Sequence, residues 1–274
     1  STHLGHSFPT RRSSDLETID LEFPNQPIHA TAKILKVDAD SKKPLVGAVF
    51  AVYQNGKELK RATSNQLGFA ELKDIRYGTY EIREVTAPNG YVINKEPIPF
   101  EVKKDNETKT ITVDNKIITG NVEVKKVDSE FPDMIIQGAQ FGLFQGDKKI
   151  AEATTGADGI AKFENVKFGK YTLKEIKPAE GYQPTTKTWD VDIAEDGKTY
   201  HYDVQNNIIK GKIQIVKVDG KNGEKPVEGA VFGVYKASDL NKEIAKITTD
   251  KNGFAFTEDL RYGDYVLKEL DAPG

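Results

Sequence analysis

The chain has 274 residues, 39 basic against 42 acidic for a formal net charge of −3, and no cysteine. Charges of both signs are scattered along it, which leaves no basic stripe for nucleic acid and no patch for a membrane surface. The lack of cysteine excludes disulfides, thiolate metal sites and cysteine nucleophiles, and no apolar run approaches the roughly 18 residues that span a bilayer.

The first stretch, His6 to Leu16, resembles one reading frame of a common sequencing-adapter oligonucleotide, so residues 1–16 are set aside as an artefact. Residues 17–27 hold a short alternating run, Leu21-Glu22-Phe23-Pro24-Asn25. An alternating strand then ends in Ile34-Leu35-Lys36-Val37-Asp38, followed by Gly-Ala-x-Phe (Gly47 to Phe50), a glycine-centred turn (Gly68) and an aromatic-Gly-x-Tyr strand entry (Tyr77 to Tyr80). Ala-Pro-x-Gly-Tyr (Ala87 to Tyr91) and a last alternating strand, Lys109 to Val113 and Asn115, complete the unit. The same order recurs from Lys126 (Gly138 to Phe141, Gly159, Phe168 to Tyr171, Asn206) and from Lys217 (Gly229 to Phe232, Gly253, Tyr262 to Tyr265). The lysines are spaced by 90 and 91 residues, a domain-sized period.

The pattern predicts an all-β chain of tandem immunoglobulin-like sandwiches. Short alternating runs such as Ile82 to Val85 and Lys212 to Val216 are separated by Gly, Pro, Asn and Asp clusters, and no window sustains a helical period. Asn55-Gly56, Asp158-Gly159 and Asn252-Gly253 read as hairpin turns. The expected boundaries are 17–27 for the terminal strand of an upstream repeat, then 28–118, 119–209 and 210–274 for three repeats, the third cut before its last strand.

Strand parity supplies the chemistry. Residues i, i+2 and i+4 share a face, so Val122, Val124 and Lys126 point together, as do Ile213, Ile215 and Lys217. Tyr80, Ile82 and Glu84 share a face, as do Tyr171, Leu173 and Glu175, and Tyr265, Leu267 and Glu269. Ile111, Val113 and Asn115 follow the same rule, and so do Tyr202, Val204 and Asn206; parity favours Asn206 over the adjoining Asn207. A lysine, a glutamate and an asparagine of each complete repeat therefore face a core in which an unpaired charge costs several kcal/mol. Desolvation there drives the lysine towards a neutral amine and the glutamate towards a neutral acid. A neutral amine beside an amide carbonyl polarised by a carboxylic acid is arranged for acyl transfer: the amine attacks the Asn carbonyl, the Glu shuttles protons and ammonia leaves. The product is an internal Lys-Asn isopeptide bond.

At these residues the chain resembles the CnaB-type, SpaA-like or prealbumin-like repeats of Gram-positive surface proteins and pilins, from Glu17 to Gly274. The resemblance implies autocatalytic crosslinks Lys36–Asn115 with Glu84 as catalyst and Lys126–Asn206 with Glu175. The second repeat departs from the pattern at Phe131-Pro132-Asp133-Met134-Ile135-Ile136 and by reading Pro178-Ala179 where the first reads Ala87-Pro88. Asn115 and Asn206 each precede the next lysine by 11 residues, and Asn25 precedes Lys36 by the same 11. Asn25 therefore reads as the crosslinking residue of an upstream repeat, and Lys217 with Glu269 as a pair awaiting its asparagine. The chain thus reads as a window cut from a longer array, and a hypothesis follows from it: one copy's Asn25 strand completes another copy's third repeat and crosslinks head to tail.

The implied protein is a structural stalk segment of a secreted, wall-attached adhesin or pilin-like protein, a self-crosslinking chain and not a turnover enzyme. Its expected partners are neighbouring repeats, peptidoglycan through a sorting signal outside this stretch, and host matrix proteins; no cofactor or metal is expected. Very short links between repeats, Ile117 to Asn121 leading straight into the next strand, predict a semi-rigid rod. Plainer readings stand beside these. A lysine at a strand end commonly snorkels to solvent. Asp38, Asp40 and the Asp219 to Glu224 loop lack the spacing of an EF-hand and suit β-turns. His3, His6, His29 and His201 have no metal spacing, and Trp189 suits packing or edge decoration. A ligand-binding module for host matrix or glycan, with Phe131 to Ile136 as its apolar hint, and accessory repeats of a secreted enzyme are the alternative functions.

Overall fold

The computed structural model describes residues 20–221 and 223–273; the adapter-like stretch 1–16 lies outside them. Every regular element among the described residues is a strand, as the alternation and turn chemistry predict.

The first repeat carries β1 (His29–Asp38), β2 (Val49–Gln54), β3 (Lys57–Thr63), β4 (Phe69–Arg76), β5 (Gly78–Thr86), β6 (Ile98–Val102) and β7 (Glu107–Asn115). They form two sheets, ordered β4-β1-β7 and β3-β2-β5-β6. The second repeat repeats this with β8 (Thr119–Asp128), β9 (Gln140–Gln145), β10 (Lys148–Thr154), β11 (Ile160–Lys167), β12 (Gly169–Lys177), β13 (Thr188–Ile193) and β14 (Thr199–Asn206), ordered β11-β8-β14 and β10-β9-β12-β13. Alternation sends one face of each sheet inward: Ala30, Ala32, Ile34, Phe50, Val52, Leu72, Ile82 and Val102 fill the first core, and Val122, Val124, Phe141, Leu143, Leu173 and Ile193 the second. Full burial of each valine, leucine, isoleucine or phenylalanine side chain contributes about 1.5–3 kcal/mol.

One pairing decides the site. The first and last strands of the second repeat, β8 and β14, run parallel and adjacent, with Val204 opposite Lys126 and Asn206 opposite Asp128. Residues 78 to 80 apart in sequence thus become neighbours on one sheet.

The third repeat contains β15 (Lys210–Gly211), β16 (Gln214–Val216), β17 (Val231–Lys236), β18 (Asp239–Thr248), β19 (Phe254–Phe256), β20 (Leu260–Arg261) and β21 (Tyr265–Asp271). β15 and β16 stand where β8 is one strand, and β19 and β20 where β11 is one. Among the described residues β21 is the last strand of this repeat. Its core is correspondingly small, built on Val234, Ile247 and Ala255.

Two expectations are corrected. Asn55-Gly56 is a hairpin turn joining β2 and β3, with both residues at positive φ, 50° and 78°. Asp158-Gly159 and Asn252-Gly253 instead connect strands of different sheets, and only the glycine has positive φ, 74° and 75°. A two-residue hairpin of this kind needs both. Residues 20–28, in turn, form no strand, because a strand without a neighbour has no ladder to join.

Candidate crosslinking site

Each lysine is held at the backbone by the glycine-centred turn: Lys36, Lys126 and Lys217 N–H donate to the carbonyls of Gly68, Gly159 and Gly253 at 2.7, 2.9 and 2.8 Å. Side-chain direction then follows strand parity. Lys36 and Lys126 point inward and are 0% and 1% exposed, so neither snorkels.

In the second repeat all three predicted residues converge. Lys126 Nζ lies 3.6 Å from Glu175 Oε1 and donates to the Val204 carbonyl at 3.3 Å. Asn206 Nδ2 donates to Glu175 Oε1 and Oε2 at 2.8 and 3.0 Å and to the Gln183 carbonyl at 2.8 Å. Asn206 Oδ1, buried, has no hydrogen-bond partner. A single carboxylate therefore touches both the amine and the amide nitrogen. Burial pulls the Lys126 ammonium down to about 8, against the opposing pull of the Glu175 and Asp128 carboxylates.

The first repeat repeats the ion pair, Lys36 Nζ to Glu84 Oε1 at 3.2 Å, with side chains 0% and 1% exposed. Asn115 ends β7 and is buried, 2% exposed. In the third repeat Lys217 Nζ reaches Glu269 Oε1 at 2.9 Å, but the two side chains are 29% and 34% exposed. Asn25 lies in the exposed stretch ahead of β1.

Several supporting groups escaped the parity argument. Phe50, Phe141 and Phe232 of the Gly-Ala-x-Phe motif pair directly across the sheet with Glu84, Glu175 and Glu269, and Lys36 Nζ lies 5.7 Å from the Phe50 ring centroid. Backbone N–H groups of Asn94 and Thr185 donate to Glu84 Oε2 and Glu175 Oε2 at 2.7 and 3.0 Å. The aspartate of Lys-Val-Asp accepts the tyrosine hydroxyl of the Gly-Tyr loop: Tyr91 to Asp38 at 2.8 Å and Tyr182 to Asp128 at 2.7 Å. The Ser41 N–H and the Tyr91 hydroxyl hold the Asp38 carboxyl at about 2. Burial pushes Asp128 up, but hydrogen bonds from Tyr182, Arg261 and the Glu130 and Phe131 N–H groups outweigh it and hold this carboxyl at about 2 as well. Both aspartates thus serve turns and clasps. The signal for these was the recurrence of Gly-Ala-x-Phe in all three copies and of Gly-Tyr in the first two, Gly90-Tyr91 and Gly181-Tyr182, visible as pattern but without a partner until β2 met β5 and β9 met β12.

The apolar departure Phe131 to Ile136 is divided in use. Ile136 enters the core, 3% exposed, and Arg261 stacks 4.7 Å from the Phe131 centroid, while Met134 and Ile135 remain 45% and 64% exposed. Trp189 packs partly buried against the second core.

The family model for the SpaA prealbumin-like fold domain matches residues 30–117, 120–208 and 211–274. The chain is 39% identical over 77 residues to the trypsin-resistant surface T6 protein of Streptococcus pyogenes serotype M6, covering 28% of this chain and 14% of that protein. It is 30% identical over 182 residues to the collagen adhesin of Staphylococcus aureus, covering 56% of this chain and 15% of the adhesin. The solved structure of the Bacillus anthracis TIE protein superposes with a TM-score of 0.79 at 32% identity, over 89% of this chain and 46% of that one. The chain thus spans less than half of each of these relatives. With three matched repeats covering most of its length, the chain belongs to the SpaA prealbumin-like fold domain family, in company with surface proteins and adhesins of Gram-positive bacteria.

Proposed function

We propose that this chain is a load-bearing stalk segment of a Gram-positive surface protein, hardened by Lys36–Asn115 and Lys126–Asn206 isopeptide bonds that its own repeats form. The observation that carries this reading is the Glu175 carboxylate, buried between the Lys126 amine and the Asn206 amide nitrogen. Proton transfer from Lys126 to Glu175 yields a neutral amine beside a neutral acid. Rotation of the Asn206 amide then lets protonated Glu175 donate to the otherwise unpartnered Oδ1 and polarise the carbonyl. Lys126 Nζ bonds to Asn206 Cγ, Glu175 passes its proton to Nδ2, the Cγ–Nδ2 bond breaks so that nitrogen departs as ammonia, and the excess proton left on Nζ moves to Glu175, leaving a neutral amide beside a neutral acid. Lys36, Glu84 and Asn115 take the same roles in the first repeat.

The reaction happens once per repeat, so its value is structural. The surface location of the related proteins supports an extracellular place for the stalk, with attachment to peptidoglycan and contact with host matrix assigned to regions outside these repeats. Intact mass spectrometry of the purified chain tests the proposal. The parent is expected to be lighter than its sequence by two ammonia masses, and Glu84→Gln and Glu175→Gln by one each; an unshifted parent mass would sink it.

A further inference from the structure

The edge that opens with Tyr262 in the third repeat is built into the second. The Tyr262 ring covers Gly181, whose α-carbon leaves no space for a side chain: a Cβ there would sit 2.4 Å from the ring. The Tyr262 hydroxyl donates to Glu180 at 2.7 Å. Arg261 inserts its two terminal nitrogens between Asp128 and Glu130 and stacks on Phe131; its side chain is only 20% exposed. Lys210, its cross-strand neighbour, also reaches Glu130. Phe168 of the second repeat lies against Gly90 in the same way, within the same compact unit.

The backbone at this edge is identical in all three repeats. The N–H groups of Tyr77, Phe168 and Tyr262 donate to the carbonyls of Ile28, Ile118 and Ile209 at 2.9, 2.8 and 2.7 Å. Each isoleucine stands three residues after Asn25, Asn115 or Asn206. In the first repeat the edge reads Arg76-Tyr77, the same type of pair as Arg261-Tyr262, and His29 pairs across from Arg76 as Lys210 does from Arg261. Arg76 is exposed and Tyr77 is 63% exposed.

We propose that the Arg76–Tyr77 edge is a docking surface for another repeat of this kind placed immediately before it. The Tyr77 ring covers the glycine of that repeat's Gly-Tyr loop, and Arg76, with His29 beside it, engages two carboxylates at the positions of Asp128 and Glu130. Charge complementarity and continuity with the Arg261–Tyr262 contact select this occupant. The surface is independent of whether the isopeptide bonds form, so its test is separable from theirs.

Because the chain has no cysteine, spin labels can be placed at will. Residues 119–206, which carry a full set of seven strands and their own core, are grafted in place of 1–25 in the otherwise full chain. Labels go on Asp147→Cys of the grafted copy and Gln66→Cys of the first repeat. One narrow distance distribution is expected, broadening at least twofold with Arg76→Gln or Tyr77→Ala and unchanged with Arg83→Gln, another exposed arginine. The same result is expected when Glu175→Gln removes the crosslink. In the untouched chain, labels on Asp147→Cys and Lys242→Cys are expected to broaden with Arg261→Gln. A broad distribution in the parent graft, or widths indifferent to Arg76, Tyr77 and Arg261, would overturn the proposal.

Discussion

At the residue scale, the proposed chemistry turns on one proton passed between two buried groups. The reactive form, neutral amine beside neutral acid, is reached from the ion pair by moving one proton within the site, so it holds the same number of protons as the ion pair. Its population is therefore flat through neutral pH. Above about 8, where buried Lys126 gives up its proton, the pair loses the acid that the leaving nitrogen requires. The crosslinking rate of the second repeat is expected to fall about tenfold per pH unit beyond that point. Ammonia loss followed by mass during refolding between about pH 6 and 10 checks the sign; a rate that climbs through pH 8 would mean that the amine alone limits the step and that Glu175 is no acid.

At the scale of elements, the contrast between repeats shows what the last two strands contribute. The Lys–Glu pair forms in all three, but its side chains are 0% and 1% exposed where those strands are present and 29% and 34% exposed in the third repeat. β16 has its antiparallel neighbour β19 on one side, and β14 shows by its pairing with β8 what belongs on the other. Transferring that register places Asn25 opposite Asp219 and Phe23 opposite Lys217, with Leu21 and Phe23, now 62% and 74% exposed, turned inward. Proline at 24 falls on the outward parity and costs one ladder hydrogen bond. Concentrated protein is expected to give a heat-stable ladder on denaturing gels, abolished by Lys217→Ala or Asn25→Ala. A monomer band alone would show that this strand does not enter this slot.

At the scale of the whole molecule, the proposed bond from first to last strand would change how each complete repeat resists force and unfolding. Lys36 and Asn115 are 79 residues apart and Lys126 and Asn206 are 80. Closing a loop of that size restricts the unfolded chain by roughly 4 kcal/mol on an entropic account. With the proposed crosslink formed, load entering at β8 would leave through it to β14 and would not reach the strands between. In single-molecule pulling, the parent is expected to show no unfolding step from either complete repeat. Glu175→Gln is expected to add one step of roughly 270 Å, the extended length of about 80 residues. That step appearing in the parent would remove the mechanical role.

Sequence alone determined the repeat, the all-β class and the inward direction of lysine, glutamate and asparagine. All three follow from a two-residue side-chain period and from Gly and Asn at turns, which are local properties of the chain. It misjudged Asp158-Gly159 and Asn252-Gly253, because a turn signal marks a reversal and does not say whether the next strand joins the same sheet. Only the tertiary structure decided that β8 and β14 lie side by side, that Phe141 backs Glu175, and that Arg261 bridges Asp128 and Glu130. Those are contacts between residues tens of positions apart, set by which sheets pack together and not by any stretch of sequence read on its own.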